Sequence, residues 1–328
     1  MEFSNPENIK LLYNLAQDSF NNKWIDNPFV VFNSINNILY LIYANTERSI
    51  ISYDVINNKK INEIKNAHKN NIMNFRYNFD KINKRDLIIS MSLDNNIKLW
   101  DIKNFDCLLD LKKVNENGEL FSSCFLNIDN NIYIISSNIV YSHRDPIKIF
   151  DLDGNKIKEI NDSEEQTLFI DAFYDNLLSK YFIITGNVGF AKSYDYNKNK
   201  AYHKYSDKKN FSYCSMVILK EEKITKLITS SRDGCIKIWD FHFNILLNTI
   251  EVTKSWLTGI CLWNKEFLFA AGGGIHLINL KSCKVINKLK DSGEVISLKK
   301  IMLPQNKECL IAQEYPNKIY LFKNNNSK

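Results

Sequence analysis

The stretch SRDGCIKIWD, residues 231–240, has a near-twin in SLDNNIKLWD, residues 92–101. Both run Ser, any residue, Asp, two turn-forming residues, and then an alternating segment that closes on Trp-Asp. Alternation of apolar and polar side chains is the two-residue period of a strand. Asp233-Gly234 adds a tight turn, because Gly accepts positive φ without steric cost. The two closing Asp residues lie 139 positions apart. Reduced to apolar, any, apolar, aromatic, Asp, the ending recurs as IISYD (50–54), IKLWD (97–101), IKIFD (147–151), AKSYD (191–195) and IKIWD (236–240). Weaker copies are IHLIN (275–279) and IYLFK (319–323). The last residues stand at 54, 101, 151, 195, 240, 279 and 323, in steps of 39 to 50, so the 139-residue separation is three steps of a seven-fold array.

A period of about 40–45 residues with several short strands per unit is the signature of propeller blades. The second unit divides into IMNFRY (72–77), DLIISMS (86–92), NIKLWD (96–101) and CLLDL (107–111). The fifth repeats this with SYCSMVI (212–218), KLITSS (226–231), CIKIWD (235–240) and ILLNTI (245–250). The expected fold class is therefore all-β: a seven-bladed β-propeller of four-stranded antiparallel blades. The seventh unit has no fourth strand after IYLFK. IKLLYNL (9–15) alternates as a strand does, and supplying it to the last blade would close the propeller and remove an exposed sheet edge. KLLYNLAQDSF (10–20) also fits a short helix. The expected organisation is an N-terminal segment at 1–23, seven blades over 24–323, and a disordered tail at 324–328.

These residues resemble the WD-repeat (WD40-type) family of seven-bladed β-propellers, from Trp24 to Lys323. In that family a His before the inner strand, an Asp in the tight turn, a Ser or Thr and the strand Trp form a hydrogen-bonded set. The resemblance implies such a set at His68, Asp94, Ser90 and Trp100, with Ala67 where Gly is usual. The fifth unit matches at Asp233, Thr229 and Trp239 and lacks the His. The other units keep little beyond the aromatic-Asp ending and the alternation, so the repeats are degenerate.

Composition narrows the function. The chain has 328 residues, 45% hydrophobic and 24% charged, ample for a core. The formal charge of +6 comes from 43 Lys and Arg against 37 Asp and Glu, and only Arg48, Arg76, Arg85, Arg144 and Arg232 are arginines. The lysines are scattered among 45 Asn residues, a bias that fits AT-rich coding and forms no basic stripe for nucleic acid. Seven cysteines without a C-x-x-C pair read as free thiols of a reducing compartment. MEFSNPENIK (1–10) has neither the basic start nor the apolar block of a signal peptide, and no apolar run approaches the ~20 residues that span a bilayer. A cytoplasmic or nuclear location and no membrane partner are expected.

Catalytic signatures are missing: no G-x-S-x-G, no H-E-x-x-H and no G-x-x-x-x-G-K-[ST]. His68, His143, His203, His242 and His276 are far apart in the array, so neither a metal nor a cofactor is expected. Ala271 to Gly274 stands at a hairpin position, where a strand follows it. The Phe/Leu-Arg-Arg-Gly motif of phosphoinositide-binding propellers is absent; Ser142 to Asp145 is its nearest approach. The basic loop DKINKRD (80–86) and the segment EEK (221–223) read as solvated turns.

What remains is a binding ring. Loops on one face vary without disturbing the blades, and Trp, Tyr and Arg dominate interface energetics. The protein-binding candidates are Trp256, ahead of the inner strand LTGICL (257–262), Arg232 in the neighbouring tight turn, Tyr213, His143 and Arg144. Phe121 and Phe169 occupy similar positions and are expected to pack in the core. The leading expectation is a non-catalytic scaffold for peptides or protein surfaces, monomeric within a larger hetero-complex. A hydrolase-like propeller enzyme using the channel and a substrate receptor of a ubiquitin ligase are the alternatives.

Overall fold

The computed structural model describes residues 6, 9–17, 28–114, 119–139, 146–161, 167–207, 211–290, 293–315 and 318–324. Seven four-stranded antiparallel sheets account for nearly all of them, with a single 3-10 turn at Pro304–Asn306 as the one helical element among the elements described. The fold class is all-β, a seven-bladed β-propeller. Six blades take their four strands in chain order: one (29–64), two (72–111), three (119–160), four (169–206), five (213–251) and six (259–290). Blade seven joins Glu294–Leu303, Lys307–Tyr315 and Lys318–Asn324 to the N-terminal strand Ile9–Gln17, which pairs antiparallel with Lys318–Asn324 from Ile9 opposite Asn324 to Gln17 opposite Lys318. The backbone of 9–17 is thus a strand, and the helical reading of that stretch is excluded. No helix among the described residues is long and apolar enough to cross a membrane.

The chain divides into two compact units, Ile25–Asn210 with blades one to four, and Met1–Trp24 with Phe211–Lys328, holding blades five to seven. Within each, the core lies between neighbouring blades. Ile42, Phe75, Ile88 and Trp100 join blades one and two, and Phe32 stacks on Tyr77 at 4.0 Å between ring centres. Ile135, Ile149, Ile170 and Ile183 join blades three and four. In the second unit Ile228, Ile238, Ile260 and Leu268 fill the space between blades five and six, and Phe269, Leu277, Leu298 and Leu310 that between six and seven. Each such side chain contributes about 1.5–3 kcal/mol on burial. Because a middle strand of blade six has blades five and seven on its two sides, it is buried on both faces: FLFAAG at Phe267–Gly272 is buried at every position. The fourth strands, at the blade edge, are open to solvent, as in Lys59–Ile64.

The repeated Asp after the aromatic has a local cause. It ends the third strand, and its carboxylate takes the amides of the turn that follows. Asp54 accepts from Ile56 and Asn57, Asp195 from Asn197 and Lys198, and Asp240 from His242 and Phe243, all at 2.9–3.1 Å. Asn279 does the same for Ser282. Such side-chain-to-backbone turns set the chain reversal before the fourth strand forms. The abundant Asn has a structural use as well: among the described residues, seven of the fourteen non-Gly positions with positive φ are Asn, in a chain with only 10 Gly. Asn tolerates the left-handed region better than most side chains.

Candidate functional site

The hydrogen-bonded set of blade two is tightly built. His68 Nδ1 lies 3.1 Å from Asp94 Oδ2 and its Nε2 lies 2.8 Å from Ser90 Oγ. Trp100 Nε1–H donates to the same Ser90 Oγ at 2.8 Å. An ionised carboxylate only accepts, so Nδ1–H points to Asp94, while Nε2 pairs with the Ser90 hydroxyl. Burial pushes the Asp94 carboxyl up, yet the His68 hydrogen bond and charge and the amides of Lys69 and Asn96 outweigh it and hold it below the ordinary range. All four groups face inward, so this set braces the blade.

Blade five solves the same problem without a His. Lys237 Nζ pairs with Asp233 Oδ2 at 2.8 Å and contacts Ser231 Oγ at 3.2 Å, with side chains only 2% and 5% exposed. Trp239 Nε1–H donates to Thr229 Oγ1 at 3.3 Å. Burial raises the Asp233 carboxyl, but hydrogen bonds from Lys237, Ser231 and the Cys235 amide, with the Lys237 charge, bring it below the ordinary range. The signal for this was in the repeat itself, at the second position of the five-residue ending, which holds Lys98, Lys148, Lys192 and Lys237. Lys98 Nζ donates to the Ala67 carbonyl at 2.8 Å and Lys148 Nζ to the Val114 carbonyl at 2.9 Å, so in blades two and three this Lys ties down the lead-in to its blade.

The surface that the blade-five motif supports is the connection to blade six. The amides of Val252 and Thr253 donate to the Gly234 carbonyl, Leu257 to Ser231, and Thr258 to Ala271, at 3.0–3.3 Å. Thr258 Oγ1 donates to the Val295 carbonyl at 2.7 Å. Two glycines allow this close approach. A Cβ on Gly234, whose φ is +79°, would lie 1.9 Å from the Thr253 carbonyl oxygen, and one on Gly272 would lie 2.4 Å from that of Trp256. Gly272 pairs with Gly274 across a hairpin turn at Gly273, so the glycine run is a turn and no phosphate cradle. The following strand begins at Gly259, two residues later than the LTGICL pattern suggests, which leaves Trp256 on a fixed loop.

Held this way, Trp256 is 46% exposed, with the Arg232 guanidinium 4.9 Å from its ring centre. Arg232 also reaches the Cys214 thiol, where its charge opposes the burial that pushes that thiol up to about 11. Beside the indole opens a pocket of about 420 Å³, walled by Lys254 and Ser255, the backbone of Gly272 and Gly273, and Glu294 to Ile296. An apolar wall with a cation and a carboxylate at the rim suits a peptide-sized ligand. No protein-family model matches the chain, and no curated protein matches it.

The other expected site residues fall elsewhere. Tyr213 is 1% exposed, with the Lys237 ammonium 5.3 Å from its ring centre, so it packs inside blade five and offers no surface to a partner. Its position in the alternation fits either role. Phe169 is buried against Gly186. Phe121 lies on the strand Glu119–Ile128, and His143 and Arg144 lie outside the described residues. The loop at 80–86 is tied by Arg85 to Asp80 at 3.0 Å and by the Ile82 and Asn83 amides to the same carboxylate, and Glu221 pairs with Lys226 at 2.8 Å. Among the described residues no three His, Cys, Asp or Glu side chains converge on a metal position.

Proposed function

We propose that the chain is a non-catalytic scaffold of the WD-repeat kind, with degenerate repeats, that binds peptides or protein surfaces through the loop carrying Trp256. The observation that carries this reading is the half-exposed indole of Trp256, stacked on Arg232 at the mouth of a pocket of about 420 Å³. A large aromatic left open to water is a typical interface anchor, and Trp and Arg each contribute about 2 kcal/mol or more when an interface buries them. The loop is bolted to blades five, six and seven through carbonyls of Gly234, Ser231, Ala271 and Val295, so little conformational entropy remains to be lost on binding. The WD-repeat assignment is supported by the His68–Asp94–Ser90–Trp100 set and by a seven-fold period in which five endings are aromatic-Asp.

The test is affinity purification from native cells with quantitative mass spectrometry, comparing wild type with a Trp256→Ala, Arg232→Ala double variant. A defined group of proteins should be recovered with wild type and reduced at least about tenfold with the variant, while its thermal midpoint stays within a few degrees; a tenfold loss corresponds to ~1.4 kcal/mol. Equal recovery with both would move binding to another surface and refute the assignment.

A further inference from the structure

The fourth strands of blades one, two, three, four and six all open on a charged residue: Lys59, Asp106, Lys156, Lys200 and Lys284. Charges there keep a sheet edge from pairing with another chain. Blades five and seven open on isoleucine instead, Ile245 and Ile9. The fourth strand of blade five, Ile245–Glu251, opens Ile245, Leu246, Leu247, and its first five residues are exposed. Leu247 is 39% exposed, and Phe243 in the turn just before is 73% exposed.

Next to this strand lies a groove of about 490 Å³ between blades five and six, within one compact unit. Its floor is made by the buried side chains of Leu219, Ile228 and Ile238, and Leu247 forms one lip. Three lysines, Lys226, Lys265 and Lys281, stand on its rim against two glutamates, Glu221 and Glu266. Lys226 is already engaged by Glu221. Lys265 and Lys281 are exposed and make no ion pair among the described residues. The second strand of blade five, Thr225–Ser231, ends near the Trp256 loop at Ser231 and begins at this groove, which separates the two surfaces by roughly 20 Å at about 3.3 Å per strand residue.

We propose that this groove and the strand beside it, uncharged up to its terminal Glu251, form a second docking surface, whose occupant is a partner segment with large apolar side chains flanked by carboxylates. The apolar side chains cover Leu247 and reach the Ile228–Ile238 floor, and the carboxylates meet Lys265 and Lys281. With Lys226 paired to Glu221, the rim keeps two lysines against Glu266, and this excess of positive charge favours an acidic partner over a second copy of the chain, whose own fourth strand of blade five carries only the terminal Glu251.

The test is selection of a phage-displayed random 16-residue peptide library on the purified full chain, followed by fluorescence anisotropy with synthetic copies of the enriched peptides. Enriched peptides should combine Leu, Ile or Phe with Asp or Glu. Their affinity should fall at least about tenfold on Leu247→Asp and on the Lys265→Glu, Lys281→Glu variant, and should weaken with added salt. The two lysines are exposed, so their variant keeps the fold if Leu247→Asp does not, and circular dichroism checks both. Trp256→Ala, Arg232→Ala should leave these affinities unchanged; a loss there would place the peptides on the other surface and overturn the proposal. So would enrichment of Lys- and Arg-rich peptides, or no enrichment over a Lys265→Glu, Lys281→Glu bait. Sedimentation of the wild type as a dimer that Leu247→Asp dissociates would assign the surface to a second copy instead.

Discussion

Replacing Lys237 with Met keeps most of the apolar stem and removes the ammonium that faces Asp233. In the wild type the two side chains are 2% and 5% exposed and 2.8 Å apart. Asp233 would keep the Ser231 hydroxyl and the Cys235 amide but lose its cation. Breaking one partner of a buried pair costs about 3–5 kcal/mol. The two retained hydrogen bonds place Lys237→Met at the low end, about 3 kcal/mol. At roughly 2 °C per kcal/mol for a chain of this size, the thermal midpoint should drop by about 6 °C. The pH dependence follows from the depressed carboxyl of Asp233. A group whose folded pKa lies below its unfolded value stabilises above the unfolded value, and the contribution is lost as pH falls through the folded one. The wild type should therefore lose its advantage over Lys237→Met as pH falls below about 4, the unfolded Asp value, toward the depressed value of Asp233. In the variant, Asp233→Asn should restore part of the loss at pH 7 by removing the orphaned charge, so a double-mutant cycle should give a coupling of about 2 kcal/mol. The assay is differential scanning fluorimetry at pH 7 and about pH 3, below the unfolded Asp value. Equal midpoints at pH 7, or the same penalty at both pH values, would refute the claim that Lys237 replaces the missing His.

In blade two, His68→Ala leaves Asp94 and Ser90 without their bridge and should cost about 3 kcal/mol, whereas Trp100→Phe removes one hydrogen bond and some packing and should cost about 1–2 kcal/mol; hydrogen exchange should localise both effects to residues 72–111. Gly272→Ala drives a Cβ to 2.4 Å from the Trp256 carbonyl oxygen, and overpacking of this kind costs about 1–3 kcal/mol, so the Trp256 loop should gain hydrogen exchange and the midpoint should fall. Deleting residues 1–20 removes the seven register pairs between Ile9–Gln17 and Lys318–Asn324, and at a net of about 0.5–1 kcal/mol per hydrogen bond the loss is roughly 4–7 kcal/mol; an unchanged thermal midpoint would contradict that pairing.

The fold was legible because its signals are local. The aromatic-Asp ending both completes a buried strand and supplies the carboxylate that turns the chain, so the same five residues recur wherever a blade needs that reversal. Strand alternation marked Asp86 to Ser92 and Cys235 to Asp240 within a residue or so of their observed ends. The site was legible only in part. Trp256 and Arg232 stand 24 positions apart in sequence and meet because Leu257 bonds back to Ser231, a contact no periodicity encodes. Tyr213 carries the same kind of signal as Trp256 and is buried, with the Lys237 ammonium, from two strands away, 5.3 Å from its ring centre. The second position of the five-residue ending stands as any residue in the sequence pattern, since alternation gives side-chain direction and says nothing of a blade lying on that side. The Asn content, read as coding bias, also serves the left-handed turn positions at Asn58, Asn95, Asn199 and Asn244.

The central claim is that the Trp256 loop is where this chain meets its partners. The most direct measurement is photo-crosslinking in native cells, with benzoylphenylalanine placed at position 255, exposed on that loop, and, as a control, at position 129 in the first turn of blade three. Discrete crosslinked proteins from position 255 and none of them from position 129 are the predicted result. The same crosslinks from both positions, or none from position 255 while the protein is folded and expressed, would contradict the account.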